Sequence, residues 1–319
     1  MVAGRWNQEG SVRVVDLGIV IVNYNTREDL GRCLDSIAAS TEHYTRRVVV
    51  VDNNSTDSSP ELVRQAYPWV ELITSAHNGG YAYANNLGLR RLGYGQSFAL
   101  VALPRYALLL NPDTVLPPEA LDALVAYMEE HADIGVIGPR LVRRDGTLDR
   151  ACRRSFPTPA VSFYHMIGLA RLFPRSERFG RYNMTFLDEM VETDVDAVVG
   201  AFMLIRSEAL EQAGLLDERF FMYGEDLDLC FRIKAHGWRV HYHPDVTVLH
   251  VKGAASRQNT AQATAAFYDA MKIFHDKHYR ARYPAPVNWA VDAGVALLRA
   301  RAILTNRLRP AHARRVASA

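Results

Sequence analysis

The sequence has little cysteine and no long apolar run. Its three cysteines, Cys33, Cys152 and Cys230, are far apart and form no CxxC pair. This spacing disfavours a zinc knuckle and a disulfide framework, so we expect a reducing, cytoplasmic setting. The opening segment MVAGRWNQEGSVRVVD lacks the apolar stretch of a secretory signal. No uncharged apolar run reaches the roughly 18 residues of a transmembrane helix, so a membrane span is not expected.

The net charge of the chain is also small. Lys and Arg number 37 against 35 Asp and Glu, a formal net charge of +2, which argues against nucleic acid as the main partner. The charge is uneven, however, and we interpret the basic C-terminal end as a candidate signal for a membrane surface. There, Asp292 is the single acid among Lys277, Arg280, Arg282, Arg299, Arg301, Arg307, Arg309, Arg314 and Arg315.

Strand and helix patterns alternate along the first half of the chain. Continuous apolar runs at 14–22 and 47–52 are typical of parallel strands that are buried on both faces. The alternation predicts an α/β fold with βαβ units and a doubly wound, mostly parallel sheet. The other expected elements are strands at 70–74 and 106–110 and helices at 27–39, 60–67 and 81–92.

Polar residues stand at the carboxyl ends of three of these strands. In open α/β sheets, ligands bind beside these ends, so the pattern predicts the location of the site. The residues are Asn23 and Tyr24, Asp52 and Asn53, and Asn111 with Asp113.

The second half is less regular, and we expect loops with short helices over 140–190. The other expected elements are a helix at 117–131, a strand at 196–205, helices at 207–213 and 225–236, and two strands at 238–243 and 246–251.

The segment Asn111-Pro112-Asp113 is a candidate metal site. A carboxylate at a strand end can hold Mg²⁺ or Mn²⁺, hard cations that often bind through carboxylates and substrate phosphates. Such a cation would neutralise a diphosphate leaving group. The alternative is a turn with capping side chains. His250, at the end of a predicted strand, is a second candidate ligand, although a lone histidine is more often structural.

Three acids cluster near the start of the helix predicted at 225–236. Glu225 and Asp226 follow an aromatic segment, 220–223, whose apolar surroundings would raise the pKa of a carboxylate and suit a general base. Asp228 and Arg232 are spaced for an (i, i+4) ion pair, so we interpret Asp228 as structural.

Residues 77–88, HNGGYAYANNLG, predict a glycine-containing loop that opens a helix, where backbone N–H groups can receive a phosphate. A Rossmann oxidoreductase would need GxGxxG after the first strand, and NYNT at 23–26 is not that pattern. A nucleotidyltransferase would carry a loop rich in Gly and Arg or Lys there, and this is also absent.

Taken in order, these motifs resemble those of the family 2 glycosyltransferases over about residues 15–255. They are VIVNYN at 20–25, VVDNNSTD at 50–57, NGG with NLG at 78–88, NPD at 111–113 and GEDLDL at 224–229. FMYGEDLDLC at 221–230 with HVKG at 250–253 is most similar to the bacterial rhamnosyltransferase branch. That branch includes enzymes that add L-rhamnose from dTDP-rhamnose to polyprenyl-diphosphate-linked GlcNAc.

The resemblance implies a GT-A fold, inversion at the anomeric carbon by single displacement, and a Mg²⁺ or Mn²⁺ cofactor. It implies a catalytic base at Asp226, beside Glu225, and metal ligands at Asp113 and His250. Nucleotide-sugar contacts are expected at Asn23, Tyr24, Asn25, Asp52, Asn53, Asn78, Gly80, Asn86 and Asn111. Acceptor contacts are expected at Gly200, Ala201, Tyr223, Arg153 and Arg154.

The sequence departs from the family pattern at two positions. Asn111 stands where the family's Asp-x-Asp has its first acid, and Asn53 stands where many relatives carry a second Asp. Donors based on UDP or GDP, and a non-catalytic sugar-binding assembly subunit, are the alternatives. Retention of Asp113, Asp226 and His250 argues against the subunit.

The resemblance also suggests a domain organisation. We expect an N-terminal extension at 1–14, a GT-A catalytic domain at 15–255 and a basic helical tail at 256–319. Within the domain, residues 15–115 would bind the nucleotide sugar and 116–255 the acceptor.

Two basic segments are candidate contacts for a lipid-linked acceptor. Arginine suits a diphosphate through its bidentate fork, and the alternative is a solvated loop paired with Asp145 and Asp149. The arginines of this first segment are Arg140, Arg143, Arg144, Arg150, Arg153 and Arg154.

The second segment is a predicted C-terminal helix at 287–308. A basic amphipathic helix can lie in a membrane interface, here at the inner face of the plasma membrane. Packing on the catalytic domain, or contact with a second copy in a homodimer, is the alternative. The apolar stripe is Val287, Val291, Val295, Leu298, Leu304 and Leu308, flanked by Arg299, Arg301, Arg307 and Arg309.

Overall fold

The computed structural model describes residues 15–96, 102–251, 260–309 and 316. They form a nine-stranded sheet with the order β3-β2-β1-β4-β8-β6-β9-β5, and β7 pairs with β9. The strands are β1 Leu17–Asn23, β2 Arg46–Asp52, β3 Glu71–Thr74, β4 Tyr106–Leu110, β5 Thr114–Val115, β6 Ile134–Val142, β7 Thr193–Asp194, β8 Phe202–Arg206 and β9 Arg239–His250.

Helices connect and flank the strands. The α-helices are α1 Arg27–Ala38, α2 Ser59–Ala66, α3 Tyr81–Leu92, α4 Ala120–Glu130, α5 Pro159–Met166, α6 Leu169–Leu172, α7 Ser207–Ala213, α8 Glu225–Ala235, α9 Thr260–His278 and α10 Ala285–Leu308. Short 3-10 helices lie at Arg150–Cys152 and Arg280–Arg282.

The first half of the chain builds the parallel part of the sheet. β3, β2, β1 and β4 run parallel to one another. Every residue of β1 and β4 is buried, as expected for strands covered by helices on both faces. The register puts Asn23 opposite Asp52, so the polar strand ends meet at one edge. The predicted α/β fold with a mostly parallel sheet is confirmed.

The strand predicted at 196–205 is shorter than expected. β8 begins at Phe202 and runs antiparallel to β4 and β6. The residues before it leave the sheet because they pair elsewhere: Ala197 N donates to Arg154 O at 3.0 Å, and Arg154 N donates to Ala197 O at 2.9 Å. Gly200 and Ala201 therefore lie in a turn that precedes β8.

β6 was missed in the sequence, where residues from 140 onward were expected to be loops. Its glycines are residues typical of turns in a sequence, but in the structure each allows a side chain of a neighbouring segment to approach the strand closely. A Cβ at Gly135 would lie 2.7 Å from Trp238 Cβ, and one at Gly138 would lie 2.8 Å from Val198 Cβ. Since real Cβ atoms do not approach so closely, glycine is required for the neighbouring elements to pack here.

The two strands predicted at 238–243 and 246–251 form the single strand β9. Its pairing with β6 shifts register between Pro139 and Arg140, whose partners are His243 and Thr247. Pro244 lies in the skipped stretch, where a bulge tolerates a residue that cannot donate to the ladder.

The C-terminal helices pack on the sheet-bearing part of the chain. Phe274 and Tyr279 belong to the main hydrophobic core. Lys277 Nζ and His278 Nε2, at the end of α9, each lie 2.7 Å from Asp228 Oδ1 in α8. Helix α9 is therefore attached to the helix that carries Glu225 and Asp226.

Helix α10 exposes only part of the predicted stripe, together with apolar residues outside it. Val287, Val291, Val295 and Leu298 of that stripe are half-buried on a helix that packs against α9. Among the described residues, no helix is long and apolar enough to cross a membrane. The exposed apolar side chains include Trp289, Leu297, Leu304 and Leu308, with exposures of 69%, 71%, 60% and 80%.

Candidate active site

The pairing of β5 with β9 brings the two predicted metal ligands together. Thr114 lies opposite His250 in this antiparallel pair, so Asp113 is beside the histidine. His250 Nε2 lies 3.3 Å from Asp113 Oδ1, and His250 Nδ1 lies 2.9 Å from Asp149 Oδ2. All three side chains are buried.

The two carboxylates control the charge of His250. Burial alone would lower the pKa of the imidazole, but the hydrogen bonds with Asp113 and Asp149 outweigh burial and raise the pKa to about 9. The ring is therefore positively charged at neutral pH in the metal-free protein, with a proton on each nitrogen. A cation that binds His250 Nε2 must displace the proton on that nitrogen.

A two-residue turn joins this corner to helix α8. Ala201 O accepts a hydrogen bond from Asn111 N at 2.9 Å, at the end of β4. The preceding residue, Gly200, donates its N–H to Asp226 Oδ2 at 3.1 Å. The segment that carries Asp113 and the helix that carries Asp226 are thus held against the same turn. The buried Tyr81 hydroxyl fixes the turn by donating to Gly200 O at 2.7 Å.

Asp226 is paired with a buried arginine. Arg154 Nη2 donates to Asp226 Oδ2 at 2.7 Å, and both side chains are buried. Arg154 also donates to Val198 O at 3.0 Å, and Asp226 Oδ1 accepts from Leu227 N at 2.7 Å. The guanidinium compensates the charge of the carboxylate in a site that excludes water.

Glu225 has a different environment from its neighbour. Its Oε2 atom is buried and has no hydrogen-bond partner among the described residues. Burial, followed by the adjacent charge of Asp226, raises the pKa of Glu225. Helix α8 thus begins with two adjacent carboxylates in unlike surroundings, one bonded to a guanidinium and one with a buried oxygen that has no partner among the described residues.

The polar ends of β1 and β2 form a hydrogen-bonded loop system. Asn23 Nδ2 donates to Asp52 Oδ1 at 3.0 Å and to Ser55 Oγ at 3.1 Å. Asn25, with a positive φ of 51°, accepts from Thr56 N at 2.6 Å. Tyr24 lies half-buried between them. The loops after β1 and β2 are therefore fixed to each other at the edge where a nucleotide is expected.

Asn53 connects this loop system to the entrance of α3. Its Nδ2 donates to Asn78 Oδ1 at 2.8 Å and to Gly80 O at 3.2 Å. Gly80 has a φ of 92°, and a Cβ there would lie 2.3 Å from Phe221 O. Only glycine fits this left-handed, crowded position.

Two predicted contact residues are directed inward. Asn86 is buried, and its side-chain amide bonds to Leu216 O at 2.8 Å and to Leu216 N at 3.0 Å. These bonds hold α3 against the segment before α8. In this position the amide is not available to a nucleotide-sugar donor. Arg153 is buried and donates to Leu187 O and Asp188 O at 2.7 and 2.6 Å.

The arginine-rich stretch is largely paired within the protein. Arg140 Nη2 lies 2.6 Å from Glu189 Oε1, and Arg143 Nη2 lies 3.8 Å from Asp149 Oδ1. With Arg153 and Arg154 also engaged, the geometry favours a paired loop over a diphosphate site. Arg154 instead contacts the predicted base.

Comparison with known proteins identifies the family. A family model described as "Glycosyltransferase like family 2" matches residues 16–268. The chain belongs to glycosyltransferase family 2. The transferase is 31% identical over 282 residues to the N-acetylglucosaminyl-diphospho-decaprenol L-rhamnosyltransferase of Mycobacterium tuberculosis, with 88% of this chain and 91% of the relative covered. It is 27% identical over 238 residues to the rhamnosyltransferase WbbL of Escherichia coli, with 73% and 82% covered.

Solved structures share the fold of the transferase at low sequence identity. GalNAc-T7 with UDP, GalNAc and Mn²⁺ has a TM-score of 0.56 at 16% identity, covering 84% of this chain and 48% of that chain. TarS of S. aureus has a TM-score of 0.52 at 15% identity, covering 88% and 43%. The predicted GT-A fold is confirmed.

The residues of the transferase fit a divalent cation at Asp113 and His250. One carboxylate oxygen and one imidazole nitrogen, with phosphate oxygens of a donor, suit Mn²⁺ or Mg²⁺. Asp149 on the other ring nitrogen orients the histidine, as a second carboxylate often does beside a metal-bound imidazole. From the sequence, Asp149 was expected only as a partner for arginines, because 101 residues separate it from His250.

Tyr223 and Tyr81 lie near the start of α8. Tyr223, with a φ of 71°, precedes α8 and stacks edge-on against Phe267 of α9, with ring centroids 5.7 Å apart. Burial and the nearby Glu225 raise the pKa of Tyr81, so its hydroxyl stays protonated and keeps its bond to Gly200. This role of Tyr81 was not predicted, because in the sequence Tyr81 is only the first residue of a helix that follows a glycine-containing loop.

Proposed function

We propose that this glycosyltransferase moves L-rhamnose from dTDP-rhamnose to a polyprenyl-diphosphate-linked sugar, with inversion, in cell-envelope polysaccharide synthesis. The sugar and the acceptor are inferred from the relatives, since two rhamnosyltransferases align with most of this chain. The transfer chemistry is supported by one observation above all. The Gly200–Ala201 turn bonds both to Asp226 and to Asn111, so the candidate base and the candidate metal corner share a support.

On the donor side, Asn23, Tyr24, Asn25, Asp52 and Asn53 would bind the base and ribose at the edge of the parallel strands. Asp113 and His250 would hold Mg²⁺ or Mn²⁺. The bound cation would neutralise the nucleoside diphosphate as the bond between the anomeric carbon and its oxygen breaks. Asn78 and the backbone at Gly80, at the entrance of α3, would contact the diphosphate.

On the acceptor side, Asp226 would take the proton of the attacking hydroxyl. One bond forms between that hydroxyl oxygen and the anomeric carbon while the bond to the diphosphate breaks on the opposite face. Arg154 would keep the carboxylate in place and compensate its charge before the acceptor arrives. Glu225 and Tyr223 would line the acceptor side of the same helix entrance.

A donor screen tests the proposal. Purified protein is mixed with dTDP-rhamnose, UDP-sugars or GDP-sugars, with and without Mn²⁺ or Mg²⁺. Release of the nucleotide into solution is measured with and without a polyprenyl-diphosphate GlcNAc analogue as acceptor. We expect release from dTDP-rhamnose that requires both the cation and the acceptor. Release from a UDP- or GDP-sugar but not from dTDP-rhamnose would overturn the rhamnose assignment. No release from any donor would favour the non-catalytic subunit.

The lipid-linked acceptor gives α10 a function. Its exposed apolar residues would lie in the interfacial region at the inner face of the plasma membrane, with Arg301 and Arg307 facing anionic headgroups. Each basic residue near an anionic surface contributes about 1 kcal/mol, so this helix could hold the enzyme beside its acceptor. A homodimer formed through the same exposed face is the competing arrangement.

A further inference from the structure

A second group of potential metal ligands lies at the start of β9, at the opposite end of the strand from His250. His241 and His243 are two residues apart and therefore project from the same face of the strand. Glu192 approaches them from the segment that precedes β7. One ligand atom from each of the three side chains lies within 4.8 Å of the other two.

The separations are close to those of a zinc site. Glu192 Oε2 lies 3.5 Å from His243 Nδ1 and 4.0 Å from His241 Nε2. Tetrahedral zinc with bonds of about 2.0–2.1 Å places neighbouring ligand atoms about 3.3 Å apart. The side chain of Glu192 is 52% exposed and can move, so a small rotation would close the difference.

Two features of the histidines are those of metal ligands. Asp194 Oδ1 lies 2.9 Å from His241 Nδ1, and this carboxylate leaves Nε2 directed towards Glu192. His243 is buried, and its Nδ1 atom has no hydrogen-bond partner among the described residues. A buried nitrogen without a hydrogen bond costs free energy, and a cation between it and Glu192 would remove that cost.

The neighbouring side chain of Tyr127 is compatible with a cation between the three ligands. The Tyr127 hydroxyl lies 3.2 Å from His241 Nε2 and 3.3 Å from each oxygen of Glu192. With a cation on the histidine nitrogen, this hydroxyl can still donate to the second oxygen of Glu192. The ring of Tyr127 lies 4.3 Å from that of His243 and fixes its orientation.

We propose that Glu192, His241 and His243 bind Zn²⁺, with a water as the fourth ligand on the solvent side. Two imidazoles and one carboxylate form a ligand set that suits zinc. The cation would tie the segment around Glu192 to β9. That segment already contacts β9 through Tyr242, whose hydroxyl donates to Glu189 O at 2.8 Å. The zinc would thus stabilise the fold at a distance from Asp113 and His250.

Calorimetric titration of the full-length chain, prepared without a histidine tag and stripped with a chelator, tests the proposal. We expect an equivalent of Zn²⁺ that still binds to Asp113→Ala protein, which lacks a ligand of the other site. His243→Ala and Glu192→Gln should each weaken this binding at least about tenfold. His236→Ala, which removes an exposed histidine at the end of α8, is the matched control and should bind normally.

Cobalt provides a second measurement. Co²⁺ in the wild-type site should show the visible absorption of tetrahedral coordination, and the bands should disappear in Glu192→Gln. Because Glu192 is half exposed, this variant should keep its circular dichroism spectrum. Zinc affinity that is unchanged in both Glu192→Gln and His243→Ala, or absence of zinc binding in the wild type, would overturn the proposal.

Discussion

Asp226 and Glu225 are adjacent but differ in what surrounds them. We expect Asp226→Asn to lower kcat on the order of 10²–10⁴-fold, the usual cost of losing a general base. Nucleotide affinity should survive, because the proposed role of Asp226 is on the acceptor. Single-turnover kinetics and calorimetry measure the two effects. Near-normal turnover in Asp226→Asn together with an inactive Glu225→Gln enzyme would assign the proton transfer to Glu225.

Arg154 is a positioning residue for this pair, and its removal should change the pH dependence of transfer. The charge of Arg154 lowers the pKa of Glu225, so without the guanidinium the pKa of that buried carboxyl rises further. We therefore expect the acid limb of the kcat/KM profile to move upward in Arg154→Ala and less in Arg154→Lys.

Arg153→Ala is the matched control for this experiment. It removes a neighbouring buried arginine whose hydrogen bonds within the described part of the chain go to the backbone carbonyls of Leu187 and Asp188. We expect lower stability and an unshifted acid limb. An equal shift of the acid limb in both variants would indicate that Arg154 acts only through packing. A raised KM for the acceptor in both variants would instead support a diphosphate site at these arginines.

Glu225 should make stability depend on pH. Its pKa is raised in the folded protein, so the neutral form stabilises the fold below the ordinary glutamate pKa of about 4.3, and this contribution is lost as pH rises. Glu225→Gln removes the dependence. Urea unfolding at pH 5 to 8 should show wild type losing stability relative to the variant, by up to about 1.4 kcal/mol per pH unit. Parallel stability curves would contradict this assignment.

Among the elements, the short pair β5–β9 determines the geometry of the candidate metal corner. We expect Asp113→Ala to remove the effect of Mn²⁺ on nucleotide affinity, because Asp113 is the carboxylate of that corner that faces His250 Nε2. Calorimetry with and without Mn²⁺ measures it. Asp145→Ala, in the exposed turn that follows β6, should retain the full effect. Metal-dependent binding that persists in Asp113→Ala would place the cation elsewhere.

Elements built from local patterns could be predicted from the sequence, and those that depend on distant partners could not. The bounds of α3, β4 and α7 follow from apolar periodicity and glycine positions alone. β6 was missed because the close approaches that require Gly135 and Gly138 involve residues far along the chain.

The same limit applies to the site. The polar strand ends at Asn23, Asp52 and Asp113 are visible in the sequence because parallel strands share an edge. The inward direction of Asn86 and the pairing of Arg154 with Asp226 depend on residues 130 and 72 positions away. No local pattern distinguishes a buried, engaged side chain of this kind from one that faces a ligand.

For the whole molecule, the exposed face of α10 predicts membrane association. Full-length protein should float with anionic vesicles at low salt, and truncation before Ala285 should abolish flotation. Replacing Trp289 and Leu304 by serine should weaken it, because these side chains are 69% and 60% exposed. Replacing the half-buried Val291 is the matched control. Failure of full-length protein to float, with a dimer present in sedimentation, would favour the homodimer.

The bonds of Lys277 and His278 to Asp228 have a geometric consequence for acceptor choice. They attach the C-terminal helices to the helix that carries Asp226. If α10 lies on a bilayer, this attachment fixes how far Asp226 stands above the headgroups. The hydroxyl that reacts must then project from the lipid by a matching length. Acceptors that differ only in the number of sugars between the lipid and the reacting hydroxyl should therefore react at different rates on vesicles. The corresponding analogues without a lipid, in detergent-free solution, should all react at the same rate.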